Sequence, residues 1–141
     1  MTDKGMLPPE GFEEIDHTAD AALRVWGPDM AALLRQAALG MNRLMHAVPL
    51  DSLRAARHLA IDALDRESLL VEWLSALALS AETEGIFYDE FEFSLVSDTR
   101  LEVVARGFRG PVMGGVKAVT YHNLKVTEGA PGLAAAVTFD M

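Results

Sequence analysis

Two segments of the sequence carry apolar residues at helical spacing. In the first, apolar residues fall at positions 30, 33, 34, 37, 41, 44, 45 and 48, which is typical of an amphipathic helix. Asp29 precedes this segment as a good N-cap, and Pro49 predicts where the helix stops.

The second helical segment begins after Asp65, which we expect to be its N-cap. Its stripe contains Leu70, Trp73, Leu74, Leu77 and Ala81. Gly85 predicts the C-terminal stop. Further apolar residues make this segment apolar almost all round, so we expect it to be the more buried helix.

The rest of the chain has the alternation and turn residues of short strands. The predicted strands are 12–17, 20–26, 55–62, 87–95, 101–108, 117–126 and 133–140. In the strand at 87–95 one face is expected to carry Phe87, Phe91, Phe93 and Leu95. In the last strand, Asp140 is expected to point away from the core side that Phe139 marks.

This order has too few helices for an alternating βαβ chain. It predicts an α+β fold of two layers, with a mostly antiparallel or mixed sheet and two main helices packed on one face. Residues 1–9 are few and polar, and they contain two prolines. We therefore expect a flexible N-terminal tail over 1–9, followed by one domain over 10–141.

Composition narrows the function classes. The 141 residues carry 12 Lys and Arg against 21 Asp and Glu, a formal net charge of −9, and no Cys. The absence of Cys excludes disulfides, thiolate metal sites and a Cys nucleophile. The negative charge argues against tight direct nucleic-acid binding. Without a signal peptide or spanning segment, we expect a cytoplasmic protein that does not bind membranes.

The candidate chemistry lies at strand ends. Asp16, His17 and Asp20 surround one connection, and Lys117 and His122 lie in or beside the penultimate strand. Asp140 and Met141 bring carboxylate and main-chain oxygens together at the end of the sequence. Simpler interpretations exist for these residues. The Asp side chains could stabilise a turn, His122 could be a structural histidine, and Lys117 could be a plain surface lysine. Phosphate-binding glycine loops and the serine nucleophile elbow do not match this sequence.

Three motifs in order resemble the archease family. They are residues 15–20 (IDHTAD), the segment from Trp73 to Gly85 before an aromatic strand, and residues 116–122 (VKAVTYH) followed by Asp140. Together they cover the chain from about Gly11 to Met141. The sequence departs from the family at 107–115, where the family usually has a longer and more polar loop.

The resemblance implies a non-catalytic cofactor protein of the RNA-splicing ligase RtcB, which promotes ligase guanylylation and multiple turnover in tRNA splicing and RNA repair. It also implies a divalent-cation site formed by Asp20, Asp140 and Met141. Oxygen donors without thiolates suit Ca²⁺, Mg²⁺ or Mn²⁺. Asp16, His17, Lys117 and His122 are then candidates for contacting the partner or supporting the site.

Two other function classes stay open on the sequence. One is a free-standing chaperone or adaptor, which a small acidic domain could also be. The other is a small metal-dependent hydrolase built on Asp20, Asp140 and His122. Association with the ligase distinguishes the first hypothesis from both.

Overall fold

The computed structural model describes residues 8–15, 21–50, 54–111, 114–130 and 132–141. Within these ranges two helices stand among strands, in the order predicted from the sequence but with one short strand more than predicted. The elements are β1 (Gly11–Ile15), β2 (Ala21–Gly27), α1 (Met30–Leu44), β3 (Arg54–Asp62), α2 (Arg66–Glu84), β4 (Ile86–Val96), β5 (Arg100–Arg109), β6 (Ala118–Thr120), β7 (Thr127–Gly129) and β8 (Gly132–Asp140).

The described strands form two antiparallel sheets. The first has the order β1-β2-β8-β6, with β7 also paired to β8, and the second has the order β3-β5-β4. The predicted α+β class with two helices and antiparallel strands is confirmed. The single sheet of the prediction is corrected to two, because the alternation within each strand does not say which strand it pairs with.

Both helices contact both sheets. α1 packs against β1, β2 and β8 of the first sheet and against β4 of the second, whereas α2 packs against β3, β4 and β6. The core therefore forms where the helices meet the inner faces of the two sheets, rather than on one face of one sheet. Trp73 of α2 is fully buried there, and its indole Nε1 donates to the main-chain oxygen of Leu34 in α1 over 2.9 Å.

The predicted helix caps are confirmed. The side chain of Asp29 accepts from the amide of Ala32 over 2.9 Å, and that of Asp65 accepts from the amide of Ser68 over 2.7 Å. Gly85 ends α2 in the left-handed conformation, with φ of 67°. Each cap satisfies a main-chain group that the helix itself leaves without a partner.

α1 ends earlier than Pro49, the stop that the sequence predicted. The helix ends at Leu44, and His46 adopts a left-handed φ of 52°. The amide of His46 donates to Arg43, and the amide of Ala47 donates to Asn42. This turn keeps Met45 buried after the helix has ended. The apolar stripe in the sequence therefore predicts a helix that is about one turn too long.

β4 departs from simple alternation. Its pairing with β5 shifts register between Tyr88 and Glu90 and again between Phe93 and Leu95. The second shift turns Leu95 outward, and its exposed fraction is 42%. The prediction that Phe87, Phe91, Phe93 and Leu95 share one face is therefore wrong for Leu95. It is also wrong for Phe87, which lies opposite Phe108 whereas Phe91 lies opposite Ala105. Each bulge inserts an extra residue and reverses the alternation beyond it.

Of the strand predicted over 117–126, only β6 forms, and β7 begins just after that range, at Thr127. β6 and β7 pair with different parts of β8, and residues 121–126 leave the sheet between them. Glu67 at the start of α2 accepts from the amide of Val126 over 2.7 Å, and Asn123 has a left-handed φ of 53°. A side chain from another element thus takes the main-chain bond that a continuous strand would have used.

Of the predicted tail 1–9, the structure describes only Pro8 and Pro9. The main-chain oxygen of Pro8 accepts from the indole Nε1 of Trp26 over 2.9 Å. Of the two helices built from described residues, neither is long and apolar enough to cross a membrane.

Candidate functional site

Asp140 lies at the end of a strand with neighbours on both sides. On one side Phe139 is opposite Ala21 of β2, and on the other Asp140 is opposite Ala118 of β6. The amide of Lys117 donates to the main-chain oxygen of Asp140 over 2.7 Å. These pairings fix the position of the Asp140 backbone.

The side chain of Asp140 is directed away from the core. Residues Leu133, Ala135, Val137 and Phe139 of β8 are buried, whereas Asp140 is exposed. Because side chains alternate along a strand, Asp140 belongs to the outer face of the first sheet. Its carboxylate is therefore in contact with solvent and free to approach a cation or a partner.

Met141 and Lys117 line one groove. Its volume is about 530 Å³, and it lies between the ends of both helices and the segment before β6. The other lining residues are Met45, Ala78, Ala81, Glu82, Gly115 and Val116. At its surface the groove thus offers Met141 together with one positive and one negative side chain, Lys117 and Glu82, while Met45 is buried beneath them.

His122 is not brought beside Asp140. Along β6 the chain moves away from Asp140, since Thr120 is already opposite Thr138. His122 lies beyond that strand, is exposed, and its Nε2 is 3.2 Å from the Nδ2 of Asn123. The hydrolase hypothesis needed His122 beside Asp140, and this register does not favour it.

The other predicted site residues, Asp16, His17 and Asp20, lie outside the described residues. The site that joins Asp20 to Asp140 therefore stays a prediction. The described register does bring Ala21, the residue after Asp20 in the sequence, opposite Phe139, the residue before Asp140.

The donor atoms at the end of β8 are of the chemical type that hard cations prefer. The described donors there are the carboxylate of Asp140 and the main-chain oxygens of Met141, and oxygen ligands suit Ca²⁺, Mg²⁺ and Mn²⁺. Within the described ranges, no group of three or more His, Asp or Glu residues could hold a metal ion. A ligand set with three side chains of these types therefore needs a side chain from outside those ranges.

Sequence reasoning missed the α2 side of the groove. Ala78, Ala81 and Glu82 face the groove from α2. Their spacing of three and four residues puts them on one helix face and was the available signal. Nothing in that spacing indicates which loop lies across from it.

The positive charges of the described surface are largely neutralised. Counting only partners within the described ranges, eight of the nine arginines have a carboxylate oxygen within 4.0 Å, namely Arg24, Arg35, Arg43, Arg54, Arg57, Arg66, Arg100 and Arg106. Arginines paired in this way offer little to a phosphate backbone, which needs clustered, available cations.

The fold is shared with solved structures. The solution structure of a Methanobacterium thermoautotrophicum protein superposes with a TM-score of 0.70 at 30% identity, covering 93% of this chain and 99% of that one. A Thermotoga maritima crystal structure, described as an archease and possible chaperone, gives 0.69 at 24% identity over 92% of this chain and 96% of that one. At that identity the second likeness shows the fold alone.

Similarity of sequence extends over the same length. Protein archease of Methanopyrus kandleri is 37% identical over 125 residues, which cover 82% of this chain and 88% of that protein. Protein archease of Methanothermobacter thermautotrophicus is 30% identical over 139 residues, covering 94% and 99%. The model of the Archease protein family matches residues 12–141, from β1 through the groove to Met141, and the chain belongs to that family.

Proposed function

We propose that this protein is an accessory factor of an RtcB-type RNA ligase and promotes its guanylylation and turnover without joining RNA itself. The observation that carries the proposal is the family match over residues 12–141, which includes all three motifs of the resemblance. The neutralised arginines and the net charge of −9 support a protein partner over RNA.

The proposed contact with the ligase uses the groove beside Lys117 and Met141. The ammonium group of Lys117 supplies positive charge to an otherwise acidic protein, and the partly exposed Met141 supplies apolar surface. Methionines adapt to irregular partner surfaces because their side chains are flexible and polarizable.

The proposed cation site lies at the adjoining end of β8. Asp140 and the main-chain oxygens of Met141 would supply part of the ligand set, and Asp20 a further carboxylate. The pairing of Ala21 with Phe139 supports this set, because Asp20 and Asp140 are their direct neighbours in the sequence. When bound, the cation would supply positive charge at an exposed carboxylate cluster.

The direct test is RNA ligation at limiting ligase, with and without this protein. We expect stimulation at a substoichiometric ratio, because an accessory factor acts repeatedly. We also expect weak binding of the isolated protein to RNA at physiological salt, measured by fluorescence anisotropy. Tight RNA binding by the protein alone, or no change in ligase turnover, would contradict the proposal.

Lys117 provides a residue-level prediction for the same assay. Lys117→Ala should reduce ligase stimulation while the melting temperature stays within about 1 °C, because an exposed lysine contributes little to stability. Lys125→Ala is the matched control, since Lys125 is also exposed but lies in the 121–126 segment. Equal stimulation by both variants would remove Lys117 from the proposed contact.

A chaperone role is the second candidate. The Thermotoga maritima neighbour is described as a possible chaperone, and the exposed Val48 and Leu50 provide apolar surface. Suppression of aggregation of an unrelated unfolding protein, without any effect on the ligase, would favour this role.

A further inference from the structure

The second sheet has an edge strand that is open to pairing. Of the strands that the structure describes, β3 pairs with β5 alone. Its register runs without a shift from Arg54 opposite Phe108 to Asp62 opposite Arg100. The residues of β3 that face outward from the sheet are all exposed, namely Arg54, Ala56, His58, Ala60 and Asp62.

The main-chain groups of these same residues point to the open edge. The amide of Ala63 donates to Thr99 over 2.8 Å, which continues the β3–β5 register by one pair. In an antiparallel ladder, residues bond alternately to one side and the other. Odd-numbered residues of β3 therefore bond to β5, and even-numbered residues present their N–H and C=O groups to the edge.

The other edges of the described sheets carry features that prevent further pairing. β1 has only five residues, β4 has two register shifts, and the β6–β7 edge is interrupted. Short strands, bulges and breaks are the usual protections of an edge. β3 has nine residues and contains neither Pro nor Gly, and its register has no shift.

The sequence of β3 is complementary to itself in one register. When two copies run antiparallel with His58 opposite His58, each Arg54 lies opposite Asp62 of the second copy, and Ala56 lies opposite Ala60. All five even-numbered residues then form hydrogen-bonded pairs, with about ten main-chain bonds in total. Shifting the centre to Arg57 would set two arginines opposite each other and lose the Arg–Asp pairs, which is unfavourable.

We propose that two copies of this chain form a symmetric dimer by antiparallel pairing of β3 with β3, centred on His58. The two three-stranded sheets become one six-stranded sheet. The small side chains of Ala56 and Ala60 leave no steric obstacle where the two edges meet. The occupant of this edge is a second copy, because a foreign strand would have no reason to match the Arg54–Asp62 spacing.

The existing ion pairs are compatible with this dimer. Arg54 already bonds Asp89 over 2.6 Å, and Asp62 accepts from Arg100 over 2.7 Å. In the dimer, these ion pairs and the new pair between Arg54 and Asp62 of the second copy would form one network of charges at each end of the interface. Arg57 lies on the inner side, where both of its terminal nitrogens donate to Glu84 over 2.6 Å, so its charge is balanced.

The mass in solution is the first test. The chain has a mass of 15.3 kDa, so the dimer is twice that. Light scattering across a concentration series should show the transition. Ala60→Lys should raise the dissociation constant at least about tenfold, because a lysine on an edge opposes pairing. Ala136→Lys, at an exposed position of β8, should leave it unchanged.

Cross-linking tests the register itself. The chain has no Cys, so His58→Cys creates a single thiol. In a hydrogen-bonded antiparallel pair the Cα and Cβ atoms are each about 5.5 Å apart, which exceeds the Cβ separation of about 3.5–4.5 Å in a direct disulfide. A short bis-maleimide reagent spans this gap and should therefore give a covalent dimer. Ala56→Cys is the control, since its two copies would be about 14 Å apart along the strands and should not cross-link.

The outcomes separate clearly. A covalent dimer with His58→Cys alone, together with weaker association of Ala60→Lys, supports the proposal. A mass of one chain up to about 1 mM protein would overturn it. A dimer that cross-links equally through both Cys variants, or that Ala60→Lys does not weaken, would place the interface elsewhere and also overturn it.

Discussion

At the scale of single residues, Gly107 has almost no room for a side chain. It lies in β5 between Ala55 of β3 and Tyr88 of β4. A Cβ atom on Gly107 would lie 1.9 Å from the main-chain oxygen of Phe87. Because that atom belongs to the backbone, β4 itself would have to move. Gly107 therefore sets the close approach of β4 to β5 at the first bulge.

Gly107→Ala should accordingly destabilise the protein. We expect the free energy of unfolding to fall by about 2–3 kcal/mol, the usual cost of overpacking that displaces backbone. Urea denaturation measures it. Gly115→Ala is the control, because nothing lies within 4 Å of a Cβ there, and it should change stability by less than about 0.5 kcal/mol. Equal effects of the two substitutions would contradict the argument.

Residue-level features differ in how visible they are in the sequence. Asp29, Asp65 and Gly85 were predicted as helix caps, because a cap bonds main-chain groups within a few residues of itself. Gly107 was not singled out for its packing, because Phe87 is twenty positions away and the contact exists only once β4 and β5 have paired. The sequence thus indicates local roles and leaves long-range ones to the fold.

At the scale of elements, one ion pair connects β3 to the end of α2. Arg57 donates two hydrogen bonds to Glu84, each 2.6 Å long. The hydrogen bond from Arg57 is the largest cause that lowers the pKa of the Glu84 carboxyl below its ordinary value. Stability gained in this way is present above the unfolded pKa of about 4.3 and is lost as pH falls through the lower folded pKa.

Glu84→Gln should therefore remove part of the pH dependence of stability. Near neutral pH the variant should have a lower melting temperature than the parent protein. The difference in melting temperature should shrink as pH falls below about 4. The effect is small because the pair is exposed. Melting curves from pH 7 to pH 3 measure it. Glu92→Gln, whose contact with Arg106 is 3.5 Å, is the control. A constant difference between parent and Glu84→Gln at all pH values would contradict this.

The elements also show where periodicity misleads. Both ends of the segment predicted as one strand over 117–126 are anchored in the core, since Val119 and Val126 are buried. Yet the chain leaves the sheet between them, because Glu67 accepts the amide of Val126. An acceptor on a distant helix cannot be read from alternation. The same holds for the end of α1, where Met45 stays buried although the helix has already ended.

At the scale of the whole molecule, the candidate site depends on pairing between distant parts of the chain. Donor types at Asp20, Asp140 and Met141 were available from the sequence and the family resemblance. That β2 runs antiparallel beside β8, with Ala21 opposite Phe139, was not, since more than a hundred residues separate these strands. The α2 side of the groove was missed for the same reason.

The cation site gives the prediction that belongs to this scale. A cation that binds the folded chain and not the unfolded one stabilises it by about 2.7 kcal/mol at a free concentration 100 times its dissociation constant. We expect Ca²⁺, Mg²⁺ or Mn²⁺ to raise the melting temperature of the parent protein. Asp20→Asn and Asp140→Asn should each abolish that rise, because each removes a charged oxygen donor.

Two controls give this measurement its meaning. Glu72→Gln, at an exposed position of α2, should keep the full rise, since it removes one charge far along the chain from both ligands. NaCl at matched ionic strength should give no comparable rise, because screening weakens repulsion without coordinating a carboxylate. If Asp140→Asn keeps the rise, the cation binds elsewhere. If only Asp20→Asn keeps it, the end of β8 binds the cation without the strand β2, and the pairing of Ala21 with Phe139 has no part in the site.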